Sequence, residues 1–212
     1  MIEAALFPIP NCVSFPGTTV PLHVFEPRYR AMVKHCVEHK QLLAVCHTEK
    51  LIREAPREQS LQEKLNTNQA TYKPHQIFSA GRCEIVQTLK DGRMAIQVHM
   101  QKRLQLLYEQ QNLPFIIAAC EYYEDLPLSA EQQLQATRTQ EKIVTRLSAM
   151  LHNQDESPVL LNEAYWLELP ADAFSFELFN LLKLPTGQAQ QMLEMQDVNL
   201  RLQTVLDRLN NS

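Results

Sequence analysis

The spacing of apolar residues changes along this chain, from the short alternating runs of strands to the 3–4 spacing of helices. Ala4 to Ile9 and Thr18 to Phe25 are strand-like runs separated by the turn residues Pro10, Asn11, Pro16 and Gly17. A helix opens at Pro27, because proline at a first helical position gives up an N–H that would be unpaired anyway. Glu26 beside it faces the positive end of the helix dipole. Tyr29, Met32, Val33, Cys36 and Val37 then recur at i, i+3, i+4, i+7 and i+8, which is one apolar stripe. Gln41 to His47 is a short buried-strand candidate. Thr48 to Pro74 is polar, contains Pro56 and lacks a strong period, so it reads as a long loop in which Leu61 to Leu65 could form a turn or two of helix. Gln76 to Leu89 is a strand with Gly81 as a bulge or a close approach. Asp91-Gly92 signals a hairpin, and Met94 to Leu107 is the return strand. Its Ala95, Gln97 and His99 lie on one face, and its Ile96, Val98 and Met100 on the other. Leu113 to Tyr123, edged by Pro114, is the last strand. Five or six strands with one early helix predict a small closed or half-closed barrel.

After Asp125 the period is helical. Ser129 and Gln132 stand in capping-box spacing at the start of a helix running to Met150, with Ile143, Leu147, Met150 and Leu151 as its buried stripe. Leu160 to Leu169 reads as a short apolar helix containing Trp166. Asp172 is the expected cap of the next, with Phe174, Leu178, Phe179 and Leu182 inward and Pro185 as its stop. Thr186 to Met195 and Asp197 to Leu209 close the chain, the latter with Val198, Leu202, Val205 and Leu209 in register. The predicted class is α+β: a barrel over residues 1–125 and a four- or five-helix bundle over 126–212.

The stretch LFPIPNCVSFPGTTVPLHVFEPRYRAMV joins a Pro-rich strand pair, a PG turn and an FEPRYR helix entry. It resembles the opening signature of the Lon protease N-terminal domain, a substrate-binding module also found in stand-alone proteins and, in altered form, in cereblon. The signature positions are Pro16, Gly17, Pro21, Glu26, Pro27, Arg28, Tyr29 and Arg30. Gly81 with Asp91, Gly92 and Arg93 sits where the family has its GxxxxI…DGR hairpin, and Asp197 to Leu209 resembles its closing helix. Val98 to Leu104 departs from the pattern: the usual Gly and Arg-Phe pair are reduced to Arg103, with Leu104 in the aromatic slot. The resemblance implies a PUA-like barrel and a non-enzymatic, stand-alone protein that engages unfolded or partly folded polypeptide, serving a separate protease or ATPase. The cereblon likeness implies an alternative, an adaptor or small-molecule-binding module. Trp166 is the only tryptophan, so no cage of several can form.

Composition narrows this picture without deciding it. With 45% hydrophobic and 21% charged residues, the 212-residue chain reads as an ordinary globular protein with a sizeable core. The formal charge of −4 leaves no broad nucleic-acid footprint. Residues 1–125 carry 14 Lys and Arg against 13 Asp and Glu, whereas 126–212 carry 6 against 11, a shift that marks the subdomain boundary. Five cysteines without CxxC spacing read as small hydrophobes. No apolar run is long enough to span a membrane, and MIEAALFPIPN lacks the basic start of a signal peptide, so the expected location is cytoplasmic.

Candidate chemistry is sparse. There is no GxxxxGK[ST] loop for nucleotide phosphates and no GxSxG elbow, and the chain has four glycines in all. His35, Cys36, His39, Cys46 and His47 form the best constellation for zinc or for a Cys–His nucleophile. Against that, Cys36 belongs to the apolar stripe, and His35 and His39 lie on the solvated side of the helix. Arg28, Arg30, Lys34 and Lys40 make a basic helix face, which would suit RNA but is diluted by Glu26 and Glu38. Glu26, Arg28 and Arg30 have two readings. They rim a site for a peptide's polar ends, or one arginine pairs with a carboxylate and fixes the helix against the barrel. No metal, cofactor, catalytic residue or peptide-groove residue is assigned from sequence.

Overall fold

Strand β1 (Ile2–Pro8) is buried on both faces, which is why AALF shows no alternation. Ala4 and Leu6 join Ala44, Cys46, Phe78, Leu104 and Cys120 in a core made only of strand residues. Ala5 and Phe7 face the other way, into a core shared with Tyr29, Met32, Val33 and Cys36 of helix α1 (Pro27–His39). Val37, expected on that stripe, lies at its margin and is exposed. The computed structural model describes residues 1–55, 60–152 and 162–211. Pro56, Leu160 and Leu161 lie outside them, as does the side chain of Leu151.

The chain forms two units, one of residues Met1–Tyr123 with Thr186–Leu193, the other of Glu124–Pro185 with Glu194–Ser212. In the first, β1 pairs in parallel with β3 (Leu42–Cys46) and antiparallel with β8 (Ile116–Tyr122). β3 pairs with β6 (Ile77–Thr88), β6 with β7 (Met94–Gln111), and β7 with β8, which closes the ring. β7 runs to Gln111 rather than stopping near Leu107, because its last residues pair with β8. β2 (Thr19–Val24) adds to the outer side of β7. Met100 N donates to Thr18 O at 2.9 Å, so by the antiparallel alternation Thr19, Pro21 and His23 turn their main-chain groups away from β7. Pro21, which has no N–H, therefore sits on the free edge.

Thr48 to Pro74 is not a structureless loop. It holds β4 (Thr48–Arg53), α2 (Leu61–Asn66) and β5 (Thr71–Pro74), the two strands pairing only with each other. Every residue of β4 after Thr48 is exposed, so burial never imposed a period on its sequence. Ser60 and Glu63 close a capping box on α2. Together these elements form an arm on the barrel.

In the first unit, helix α6 (Thr186–Glu194) is held to the strands by two buried side chains. Gln190 Nε2 donates to Ile77 O at 2.9 Å, and Arg103 Nη1 to Leu193 O at 2.8 Å. The second unit contains α3 (Ala130–His152), α4 (Glu163–Glu168), α5 (Ala171–Glu177), a short 3-10 turn and α7 (Val198–Asn210). The Ser129–Gln132 capping box is present. The buried stripe of α3 includes Gln140, whose amide donates to the carbonyls of Trp166 and Leu169 at 2.7 and 2.9 Å. Leu147 and Met150 are half-buried on that helix. α4 buries no residue fully. α5 is capped at Pro170, not Asp172, which lies in the first turn; Phe174, Phe176 and Leu178 are buried, and Phe179 and Leu182 only partly. Arg201 of α7 is wholly buried. It makes a bidentate pair with Asp125 at 2.9 and 2.7 Å, donates to Ser175 Oγ and Met195 O, and lies 3.8 Å from the Phe176 ring centroid.

Two substitutions test these supports. A Cβ on Gly81 would lie 1.8 Å from His99 O at a bulge between β6 and β7, so Gly81→Ala should destabilise by about 3 kcal/mol or more in urea titration. Asp125→Ala, which strands a buried guanidinium, should cost about 3–5 kcal/mol by the same measurement.

Candidate functional site

The start of α1 holds the returning limb of the arm. Pro27 occupies the first helical position, and Glu26 is the N-cap residue but makes no side-chain capping bond. Its Oε2 instead accepts from Gln69 N and from Arg28 Nε, both at 2.9 Å. Arg28 goes further along the same limb: Nη2 donates to Ala70 O at 2.6 Å and Nη1 to Thr71 Oγ1 at 3.2 Å, while its own N–H reaches Asn68 Oδ1 at 3.3 Å. Arg30 Nη2 donates to Leu65 O at 2.8 Å, near the carbonyl end of α2. Its Nη1 occupies the space where a Cβ on Gly92 would be. The ion pair anticipated at FEPRYR is thus Glu26 with Arg28, and what it grips is the arm.

Under the arm lie two adjoining cavities of about 360 and 340 Å³. The first is walled by Phe7, Ile9, Leu22, Phe25, Tyr29 and Tyr72, with Glu26 and Gln69 as polar members. The second is lined by Leu6, Ile52, Leu113, Phe115 and Ile116, together with Arg28, Arg53, Glu109 and Asn112. Pro8, Tyr29, Gln69 and Tyr72 belong to both. Tyr29 packs on Phe7 with centroids 4.2 Å apart, and burial pushes its hydroxyl up to about 12. Ile52 and Leu113 are 62% and 81% exposed beside the second cavity.

The other signature residues shape the backbone. Gly17 takes φ +78° and donates its N–H to Met100 O; Gly92 takes φ +86° in the hairpin, where Arg93 binds the carboxylate of Asp91. Arg103 is buried and also lies 5.0 Å from the Tyr123 ring centroid.

The Cys and His candidates do not assemble. Cys36 is buried in the α1 core, and burial, then the neighbouring Cys83, pushes its thiol up to about 12. Burial also drives Cys46 well up, opposite to what a thiolate nucleophile requires. His35 and His39 stack on each other, as do His47 and His75. Among the described residues no three or more His, Cys, Asp or Glu side chains are grouped to hold a metal ion. Of the basic face, Arg28 and Arg30 turn to the arm, leaving Lys34 and Lys40 exposed. No helix among these residues is long and apolar enough to cross a membrane. Sequence reasoning missed Tyr72 and Ile52, which sit in a stretch without a period, and Leu113, expected to open a strand that begins only at Ile116.

This barrel and helical tail place the chain in a known class. The family of the ATP-dependent protease La (LON) substrate-binding domain matches residues 3–211, and the chain belongs to it. These 212 residues hold that domain and no ATPase or protease domain. Among solved structures, the N-terminal domain of Mycobacterium avium complex Lon protease is similar, with 16% identity, a TM-score of 0.68, and 99% of this chain and 98% of that one covered. A Lon N-terminal domain protein from Xanthomonas campestris is similar at 21% identity and a TM-score of 0.57, with 98% of each chain covered. At these identities the likeness concerns the fold. No curated protein sequence matches significantly.

Arg28→Ala removes two of the five bonds from the start of α1 to the arm, and the guanidinium that fixes Glu26 against Gln69 N. The Gln69 amide should then exchange roughly thirtyfold faster in hydrogen-exchange measurements, a local loss of about 2 kcal/mol, while the strand amides of β3 remain protected.

Proposed function

We propose that this chain is a non-enzymatic polypeptide-recognition module, in which the two cavities under the arm receive apolar side chains of an unfolded or partly folded segment. The carrying observation is an apolar chamber adjoining one of mixed lining, the latter bordered by exposed Ile52 and Leu113, within a family whose description is substrate binding. An extended segment places alternate side chains on one face, so neighbouring pockets suit it better than a single deep cleft would. A separate protease or ATPase would receive whatever the module holds. No bond is broken in this reading; the buried, upshifted thiols favour it over a Cys–His hydrolase. The RNA alternative is disfavoured because two of the four basic side chains are occupied by the arm.

A reduced, carboxymethylated test protein should bind with a Kd that is roughly micromolar or weaker, since ordering an unfolded ligand offsets much of the contact energy. Ile52→Glu or Leu113→Glu should weaken binding at least about fivefold without lowering Tm, both side chains being mostly exposed. Binding no stronger than that of an equally sized unrelated barrel, measured by titration, would end this reading.

A further inference from the structure

The arm leaves the barrel at His47, between β3 and β4, and returns at His75, between β5 and β6. The two rings stack there with centroids 5.0 Å apart and planes 16° apart, and His75 N donates to His47 O at 2.9 Å. From this geometry we infer that the His47–His75 stack is a pH-sensitive hinge that loosens the arm as the pair gains protons. The inference rests on the reading above only in making access to the cavities its consequence.

Two features set the direction. His47 Nδ1 is buried and bonded to no described residue, so a second ring proton would carry an unpaired N–H into a buried position. A charge on His47 would also face a charge on His75 across the stack. Burial first, and His75 second, hold the His47 pKa below its ordinary 6.5.

The described charges near the pair come from the arm itself: Glu49 feels His75 and Lys50, but its carboxylate is 2.6 Å from Lys73. Elements bonded to the flanks bring little else. Ile9 N binds Cys46 O, and the loop there contains only Cys12 as an ionisable group, its thiol raised by burial. Leu106 N binds Gln76 O and Gln190 Nε2 binds Ile77 O, and neither Gln105–Leu107 nor Thr186–Leu193 contains an acid or base.

The sign follows from proton uptake. Above the ordinary histidine value both arm states are neutral at His47, and closure is unaffected. As pH falls through that value the open state takes a proton that the closed state resists, so closure weakens until the pH passes the depressed value.

The test uses the intact chain without ligand. Histidine ring signals followed by NMR should show His47 titrating below the ordinary histidine value, and His75→Gln should raise it. Protection factors of the β4 and β5 amides should fall about five- to tenfold between about pH 7.5 and about pH 5.5 in the native chain and stay level in His47→Gln. Level protection in the native chain, or an equal fall in His47→Gln, overturns the hinge. The β3 amides serve as an internal control: their loss of protection in step with the arm would mark general unfolding and equally overturn it. Arm opening with no change in affinity for the carboxymethylated protein upholds the hinge and counts against the peptide reading instead.

Discussion

The candidate site depends on one buried carboxylate. Glu26 stands where a helix-capping residue would normally satisfy the first turn, yet its side chain is turned outward to Gln69 N and Arg28. Proline at the next position removes one orphan donor of the first turn, and Asn68 Oδ1 accepts from Arg28 N, a donor a cap would serve. With Glu26 so placed, Arg28 is held in a planar geometry that lets its remaining N–H groups reach the main chain of the arm. A lysine could supply the charge but could not join a carboxylate, a carbonyl and a hydroxyl in one rigid fork. The cavities lie beneath the limb that this fork holds near α1.

The first unit was largely legible because its signals are local. Gly17 and Gly92 require positive φ, Gly81 meets a backbone oxygen, and β7 alternates because one of its faces is core and the other is not. The arm was illegible for the complementary reason. β4 is exposed along nearly its whole length, which left it free to read TEKLIR, a string that fits a loop equally well. Tyr72 gains meaning only from Phe7 and Tyr29, which come from elements more than forty residues away. Polar residues in helical stripes misled in the same way. Gln140 looks like solvent-facing composition until the carbonyls of Trp166 and Leu169 are placed against it.

Two buried arginines do similar work in the two units. Arg103 meets the carbonyl of Leu193 in the last turn of α6, where the helix dipole is negative and a carbonyl lacks an intrahelical partner. Arg201 meets the carbonyl of Met195 just beyond that turn, but adds the Asp125 carboxylate, the Ser175 hydroxyl and the face of Phe176. The second is self-compensating: charge, hydrogen bonds and ring contact are all satisfied inside one unit, the condition under which a buried ion can be kept. In sequence Arg103 lies among polar residues, whereas Arg201 falls on the apolar stripe of Val198, Leu202, Val205 and Leu209. Such a position is a warning of a buried network but does not name its partners.

The free strand edges bear on how a polypeptide would be held. Adding a strand to a sheet edge needs a run of regular, unpaired N–H and C=O groups. β2 offers an edge interrupted at Pro21, and the six residues of β4 contain register shifts at Thr48/Lys50 and again at Leu51/Arg53. Bulges and proline are the features that make an edge a poor template. Main-chain pairing, which is indifferent to sequence, is therefore disfavoured on both, and on the proposed reading recognition would fall to the side-chain chambers beside Tyr72. On the reading proposed here, selection should follow the size and polarity of a few anchoring side chains more than the capacity of the bound segment to form a strand.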